Sequence, residues 1–229
     1  YAYYNIYDIN LSYNHLKYVI NQVTGTYLYL TDLNFDYNDL NALPYFGTTN
    51  DNQLHIRKNN FTSMPLISFR NNYIDCGENL ITSITNIPFK LVTLICDHNL
   101  LTSLNLQLGS PNFFRNIDCS FNNVTTITNI PVNFWSLKCN DNPNLSCISS
   151  KISNLQSLYI GNTQIHCLPN IFSCTTFDIN PAILPLCGPS SGCYYTYNTL
   201  GNVHIDTSAN CILDSLNRGN GIKNAKVLL

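Results

Sequence analysis

Apolar positions recur along this chain around one fixed polar residue. In LVTLICDHNLLTSL, residues 91–104, Leu91, Leu94, Cys96, Leu101 and Leu104 surround Asn99. The order is apolar-x-x-apolar-x-apolar-x-x-Asn-x-apolar-x-x-apolar. It fits Ile6, Ile9, Leu11, Asn14, Leu16 and Val19, then Leu30, Leu33, Phe35, Asn38, Leu40 and Leu43. A third copy has Asp51 in its first slot, then Leu54, Ile56, Asn59, Phe61 and Met64; a fourth runs Ile74, Cys76, Asn79, Ile81, Ile84. After the copy quoted above come Phe114, Ile117, Cys119, Asn122, Val124 and Ile127, then Phe134, Leu137, Cys139, Asn142, Leu145 and Ile148, with one extra residue at Pro143-Asn144. The eighth copy is Leu155, Leu158, Ile160, Thr163, Ile165 and Leu168, and a degenerate ninth runs through Phe177 and Ile179. The polar markers at 14, 38, 59, 79, 99, 122, 142 and 163 are 24, 21, 20, 20, 23, 20 and 21 residues apart.

A recurrence at this period signals a solenoid, and the pattern resembles the leucine-rich repeat. That implies a right-handed coil of about eight repeats over residues 1–187, with one curved parallel β-sheet. Each repeat supplies a short strand, whose neighbours lie about 4.7–4.9 Å away. Behind the strand the chain turns inward and leaves backbone polar groups without a ladder partner. A carboxamide carries both donors and an acceptor and can satisfy them. Thr163, a hydroxyl in the amide position, marks the end of the regular array. The convex segments are short, carry Pro44, Pro65, Pro88, Pro131 and Pro169, and show no helical period. They are expected to be thin and mostly non-helical.

Cys76, Cys96, Cys119 and Cys139 occupy the inward slot filled elsewhere by Leu11, Phe35, Ile56 and Ile160. They read as stacked buried thiols. Cys147 and Cys167 share another slot in adjacent repeats, as a disulfide or as two small fillers. CGPSSGC, Cys187 to Cys193, reads as a loop closed by its own disulfide. It opens a linker over 188–199.

The last segment, 200–229, carries Gly201, Val203, Asp206, Ser208, Asn210, Asp214, Gly219, Gly221 and Val227. This spacing resembles the opening of a prealbumin-like or SdrD-type B domain, which implies the start of a β-sandwich. The resemblance also implies Ca²⁺ at Asp206, Ser208, Asn210 and Asp214, whose alternating oxygens suit a hard cation. The same residues would serve as a polar turn between strands. Together the two parts resemble secreted Bacteroidetes leucine-rich-repeat proteins, which implies a cell-surface or extracellular location and export by a type IX secretion system.

Charge is scarce, 10% of residues, and the net charge of −2 gives no electrostatic footprint for nucleic acid. No apolar run is long enough for a membrane span. The first residues, YAYYNIYDIN, lack the pattern of a signal peptide, so the chain reads as a mature or partial piece of a longer protein. The five histidines form no metal or triad spacing, and no nucleophile or phosphate-binding motif occurs, so no enzyme activity is expected. The period near 20 is similar to that of bacterial effector repeats joined to a ubiquitin ligase, but the tail is too short for that domain. Alternation along the strands instead points polar side chains to the concave face. There Asp8, Asp32, Asp36, Asp75, Glu78, Asp97, Asp118 and Asp141 make up eight of the 13 acidic residues. They interleave with Tyr13, Tyr37, Tyr73, Phe121 and Tyr159, against only Arg57, Lys58 and Lys138. Asp32, Asp36, Tyr37, Tyr73, Asp75, Asp97, Asp118, Phe121 and Tyr159 are therefore the candidate docking residues for a protein or glycan. Two readings follow: an adhesin- or receptor-like binding module, or a structural spacer or passenger within an exported protein.

Overall fold

The computed structural model describes residues 7–20, 30–45, 52–66, 70–85, 87–106, 114–131, 133–150, 152, 155–169, 174–187 and 193. The chain divides into two units, Tyr1–Tyr195 and Thr196–Leu229. The second unit, with Asp206, Ser208, Asn210 and Asp214, lies outside the described residues, as do Ile6 and Asp51.

The first unit is a leucine-rich-repeat solenoid. Its strands are β1 (Asp8–Asn10), β2 (Asp32–Asn34), β3 (Asn52–His55), β4 (Asn71–Asp75), β5 (Thr93–Ile95), β6 (Leu104–Asn105), β7 (Asn116–Asp118), β8 (Thr126–Thr128), β9 (Ser136–Lys138), β10 (Cys147–Ile148), β11 (Ser157–Tyr159) and β12 (Thr176–Phe177). Nine of them form one sheet in the order β1-β2-β3-β4-β5-β7-β9-β11-β12. Every pairing is parallel, as one strand per coil requires. The register aligns Ile9, Leu33, Leu54, Ile74, Leu94, Ile117, Leu137, Leu158 and Phe177 in one row. From Leu33 to Leu158 that row is buried. The degenerate ninth copy is thus a real ninth strand.

The returning segments contain no α-helix among the described residues, only a 3₁₀ turn at Pro181–Ile183. They are more regular than expected, because β6, β8 and β10 form a second parallel sheet. Its register aligns Leu104, Ile127 and Ile148, the last apolar slot of three consecutive repeats. A register shift after Asn52 sets that residue beside Asn71, and both amides are buried.

The fixed asparagines line up as a ladder. The Oδ1 of Asn59, Asn79, Asn99, Asn122 and Asn142 accepts the N–H of Leu40, Phe61, Ile81, Leu101 and Val124 in the preceding coil, at 2.9–3.0 Å. Each Nδ2 donates to carbonyls of its own turn and of the coil before. Asn99, for example, reaches Cys76, Cys96 and Asp97. At Thr163 only short-range bonds remain, to the Ile160 carbonyl and from the Ile165 N–H.

The bend these amides hold has a cost. The residue before each marker, namely Tyr13, Tyr37, Lys58, Glu78, His98, Phe121, Asp141 and Asn162, has φ between 49° and 60°. For a non-glycine residue the left-handed region costs about 1–2 kcal/mol. Three or four buried hydrogen bonds per amide offset it, since leaving such a group unpaired costs about 1–3 kcal/mol.

Cys76, Cys96, Cys119 and Cys139 are buried free thiols in the inward slot, where burial pushes each thiol pKa well up. The disulfides differ from the expected ones. Cys187 does not pair with Cys193, nor Cys147 with Cys167. The bonds are Cys147–Cys193 and Cys167–Cys187. A parallel bridge, Leu168 to Leu186, brings Cys187 alongside Cys167 with Cα atoms 4.9 Å apart, well within disulfide reach. Asp178 finishes the main sheet by accepting the N–H groups of Ile160 and Gly161.

Asn99→Ala should lower unfolding free energy by about 3 kcal/mol, because it strands the Ile81 N–H and takes one bond from each of the Cys76, Cys96 and Asp97 carbonyls in the interior; chemical denaturation checks this. The two disulfides span 46 and 20 residues. Reduction should therefore remove about 4 and about 3 kcal/mol respectively on the loop-entropy account, read as a drop in melting temperature with reductant.

Candidate functional site

Register turns the outward positions of the main sheet into columns. One column, at the strand starts, runs Asp8, Asp32, Gln53, Tyr73, Thr93, Asn116, Ser136, Ser157. The next, at the strand ends, runs Asn10, Asn34, His55, Asp75, Ile95, Asp118, Lys138, Tyr159. Two residues on lie Ser12, Asp36, Arg57, Gly77, Asp97, Ser120, Asn140 and Gly161. The left-handed positions form the rim beyond. Of the candidate residues, Asp32 and Tyr73 stand in the first column, Asp75, Asp118 and Tyr159 in the second, and Asp36 and Asp97 in the third. Tyr37 and Phe121 stand on the rim. The fold thus brings all nine to one face and its edge.

Many of the carboxylates are already engaged. Asp75 and Asp118 accept the N–H of Gly77 and Ser120, two residues on, as Asn10 and Asn34 do for Ser12 and Asp36. Such local side-chain bonds end a strand and start the turn. Where His55 stands in that column, the Oδ1 of Asp36 reaches across to the N–H of Arg57, at 2.6 Å.

Arg57 is the centre of the face. Its guanidinium grips Asp97 through two bonds of 2.8 Å, from Nη1 and Nη2. It also reaches Glu78 at 3.1 Å and Asp75 at 3.4 Å. Asp97 is two coils away, and the path crosses Gly77. A Cβ at Gly77 would collide with the guanidinium and with the Asp97 carboxylate, so the pair in this position needs a glycine beneath it. Asp97 also bonds the Nδ1 of His98 at 2.7 Å. Further along, Lys138 pairs with Asp118 at 3.5 Å and lies over Tyr159. Four of the eight carboxylates of the face, those of Asp75, Glu78, Asp97 and Asp118, are therefore in ion pairs with Arg57, Lys58 or Lys138. Arg57 raised no signal in sequence beyond its scarcity.

These placements split the carboxylates. Burial raises the pKa of Asp36 and Asp75. Burial works the same way on Asp97, but the Arg57 hydrogen bonds, with His98, outweigh it and hold Asp97 below its ordinary value. The bond to Asp97 in turn raises Arg57.

The rim is aromatic in two places. Tyr13 stacks on Tyr37 with centroids 4.3 Å apart, and Lys58 lies over Tyr37. His98 stacks on Phe121 at 4.2 Å. The first stack borders a cleft of about 370 Å³ lined by Tyr13, His15, Tyr37, Asn38, Asp39, Lys58, Asn59 and Asn60. Sequence reasoning named Tyr37 but missed this cleft, because its walls come from three coils. Among the described residues no three His, Cys, Asp or Glu side chains gather as a metal site.

A search of solved structures matches this chain to YopM from Yersinia enterocolitica WA-314, at 18% identity and a TM-score of 0.43, over 80% of this chain and 50% of that one. The chain spans about half the length of that protein. No family model and no curated protein matches the sequence.

Asp97→Asn should cost about 2 kcal/mol at pH 7, because it leaves Arg57 with weakened partners in a half-buried site. Asp97 has a depressed pKa, so its contribution is present above the ordinary Asp range and fades as pH falls through its folded pKa. The gap between variant and parent should close in acid. Asp75 has a raised pKa, so its contribution runs the other way and is lost as pH rises through that pKa. Asp75→Asn keeps the acceptor for Gly77 and should be neutral or stabilising at pH 7. Denaturation midpoints across pH 2–7 check both.

Proposed function

We propose that the solenoid is a non-enzymatic recognition module of an exported or cell-surface protein, adhesin- or receptor-like, that docks a protein partner on the main sheet. The observation that carries this reading is the set of aromatic side chains held outward on a rigid frame. Phe121 is exposed on the rim, Tyr159 lies on the sheet beneath Lys138, and Tyr73 sits beside His55. Rigid aromatics supply large contact area at little entropic cost, and they dominate binding hot spots. With Asp75, Glu78, Asp97 and Asp118 paired internally, the aromatics are the anchors and the remaining charge tunes encounter and register.

Two disulfides favour an oxidising compartment, which supports secretion or surface display. No helix among the described residues is long and apolar enough to cross a membrane. The leading alternative is a spacer or passenger, such as a type IX secretion cargo. The ion pairs around Arg57 favour it, because they tie coils together and so serve the fold.

Phe121→Asn combined with Tyr159→Ser separates the two readings, since Asn tolerates the left-handed backbone and neither side chain is in the core. A binding module should lose at least tenfold in affinity for the partner crosslinked to the parent protein on the native surface, with an unchanged melting temperature. Equal recovery of that partner by variant and parent would favour the spacer.

A further inference from the structure

Behind the asparagine turns, five consecutive coils carry no charge at all. Residues 60–66, 80–85, 100–106, 123–131 and 144–150 contain no acidic residue, no basic residue and no histidine. Their one aromatic, Phe61, is buried. What they expose is hydroxyl. Thr62, Thr82, Thr102, Thr125 and Ser146 hold the same place in successive coils, and each is exposed. Main-chain bonds link Thr82 to Thr62, Thr125 to Thr102 and Ser146 to Thr125. Ser83, Ser103 and Thr126 make a second exposed row beside them. A third row holds Thr85, Asn105, Thr128 and Ser149. There Asn105 pairs with Thr128, and the pairing of Ile148 with Ile127 sets Ser149 alongside.

The coil does not require this composition. At the first-row position the flanking coils carry Lys17, Asn41 and His166, so the backbone there accepts a cation, an amide or an imidazole. Charge favours solubility, yet this side excludes it, while the main sheet and its rim carry Arg57, Lys138 and eight of the 13 acidic residues.

A repeat in two directions selects the ligand. Neighbouring coils place equivalent side chains about 4.7–4.9 Å apart, and alternate residues of one strand lie about 6.6–6.8 Å apart. The ladder of β6, β8 and β10 holds the coils at strand spacing on this side as well, so the rows do not fan out. A single soluble molecule has no use for such a lattice, whereas a crystal surface does. A polysaccharide crystal would call for exposed rings to stack on its sugars, and no aromatic is exposed in these segments. Ice repeats its oxygens at close to both spacings. A threonine hydroxyl both donates to and accepts from lattice water, and its methyl group fills the hollow between waters. An ammonium group holds its own strong hydration shell instead, which accounts for the absence of charge.

We propose that this hydroxyl face binds ice, with Thr82, Thr102 and Thr125 at its core. The face lies apart from the protein-docking surface, and its activity does not depend on that reading.

The test measures freezing and melting points of solutions of the intact protein by nanolitre osmometry, and its partition into slowly grown ice. Binding to insoluble chitin and cellulose is measured in parallel. The parent should hold the freezing point below the melting point, facet the crystals and concentrate in the ice. Thr102→Lys should lose all three effects with unchanged thermal unfolding, since Lys17 already occupies that position in the first coil. Thr102→Asn, which copies Asn41 and adds no charge, should narrow the gap, and it reads the face even where the lysine perturbs the coil. The Phe121→Asn and Tyr159→Ser variant should act on ice as the parent does, whatever it has lost toward a protein partner. The proposal is overturned if the parent shows neither a gap nor partition into ice, if both survive the two Thr102 substitutions, or if the protein binds chitin or cellulose and not ice.

Discussion

One side chain in each coil makes the architecture feasible: the asparagine behind the strand. Its oxygen takes the N–H of the coil before, and its nitrogen ties the carbonyls of two successive turns. Without it, each inward bend would bury several backbone groups with nothing to meet them. With it, a sharp bend that forces non-glycine residues to positive φ becomes tolerable. Because each amide joins two coils, the bends can only be satisfied together. The stack is cooperative by construction, and register follows from it.

The same economy governs the exposed face. A parallel sheet of three-residue strands must end each strand abruptly, and Asn10, Asn34, Asp75 and Asp118 end theirs by bonding the N–H two residues on. Asp36 and Asp178 do so for a neighbouring coil, at Arg57 and Gly161. Acidic residues are therefore concentrated here partly because a carboxylate is a good strand terminator. Arg57 then neutralises the densest group, and the missing side chain of Gly77 lets it reach two coils along.

How much of this was legible depends on range. The spacing of Asn79, Asn99 and Asn122 gave the coil, its parallel register and the inward Cys column, because each of those is set by a period within the chain. The left-handed positions were not legible, since Tyr37, Lys58 and Phe121 share no chemistry and carry none of the glycine signal that usually marks such backbone. Nor could local sequence assign the disulfides. Cys187 and Cys193 look like a closed loop from their separation, but the bridge between Leu168 and Leu186 decides otherwise. The Arg57–Asp97 pair spans 40 residues and depends on a neighbour with no side chain at all. On the second sheet, β6, β8 and β10 were read only as thin, non-helical chain, because a single apolar slot, at Leu104, Ile127 and Ile148, marks each of them.

These constraints also say where recognition can evolve in such a coil. Inward positions are fixed by packing, markers by hydrogen bonding, and strand-end positions by the need to close the turn. The rim is different: its backbone is imposed by the asparagine that follows, so its side chain is left unspecified. Tyr, Lys, Glu, His, Phe, Asp and Asn all occur there. Several of these side chains meet the next coil's: Tyr13 stacks on Tyr37 and His98 on Phe121, Lys58 pairs with Glu78, and Asn162 donates to Asp141. A column that is rigid in backbone, free in identity and continuous across coils is a surface on which binding specificity can change without touching the fold.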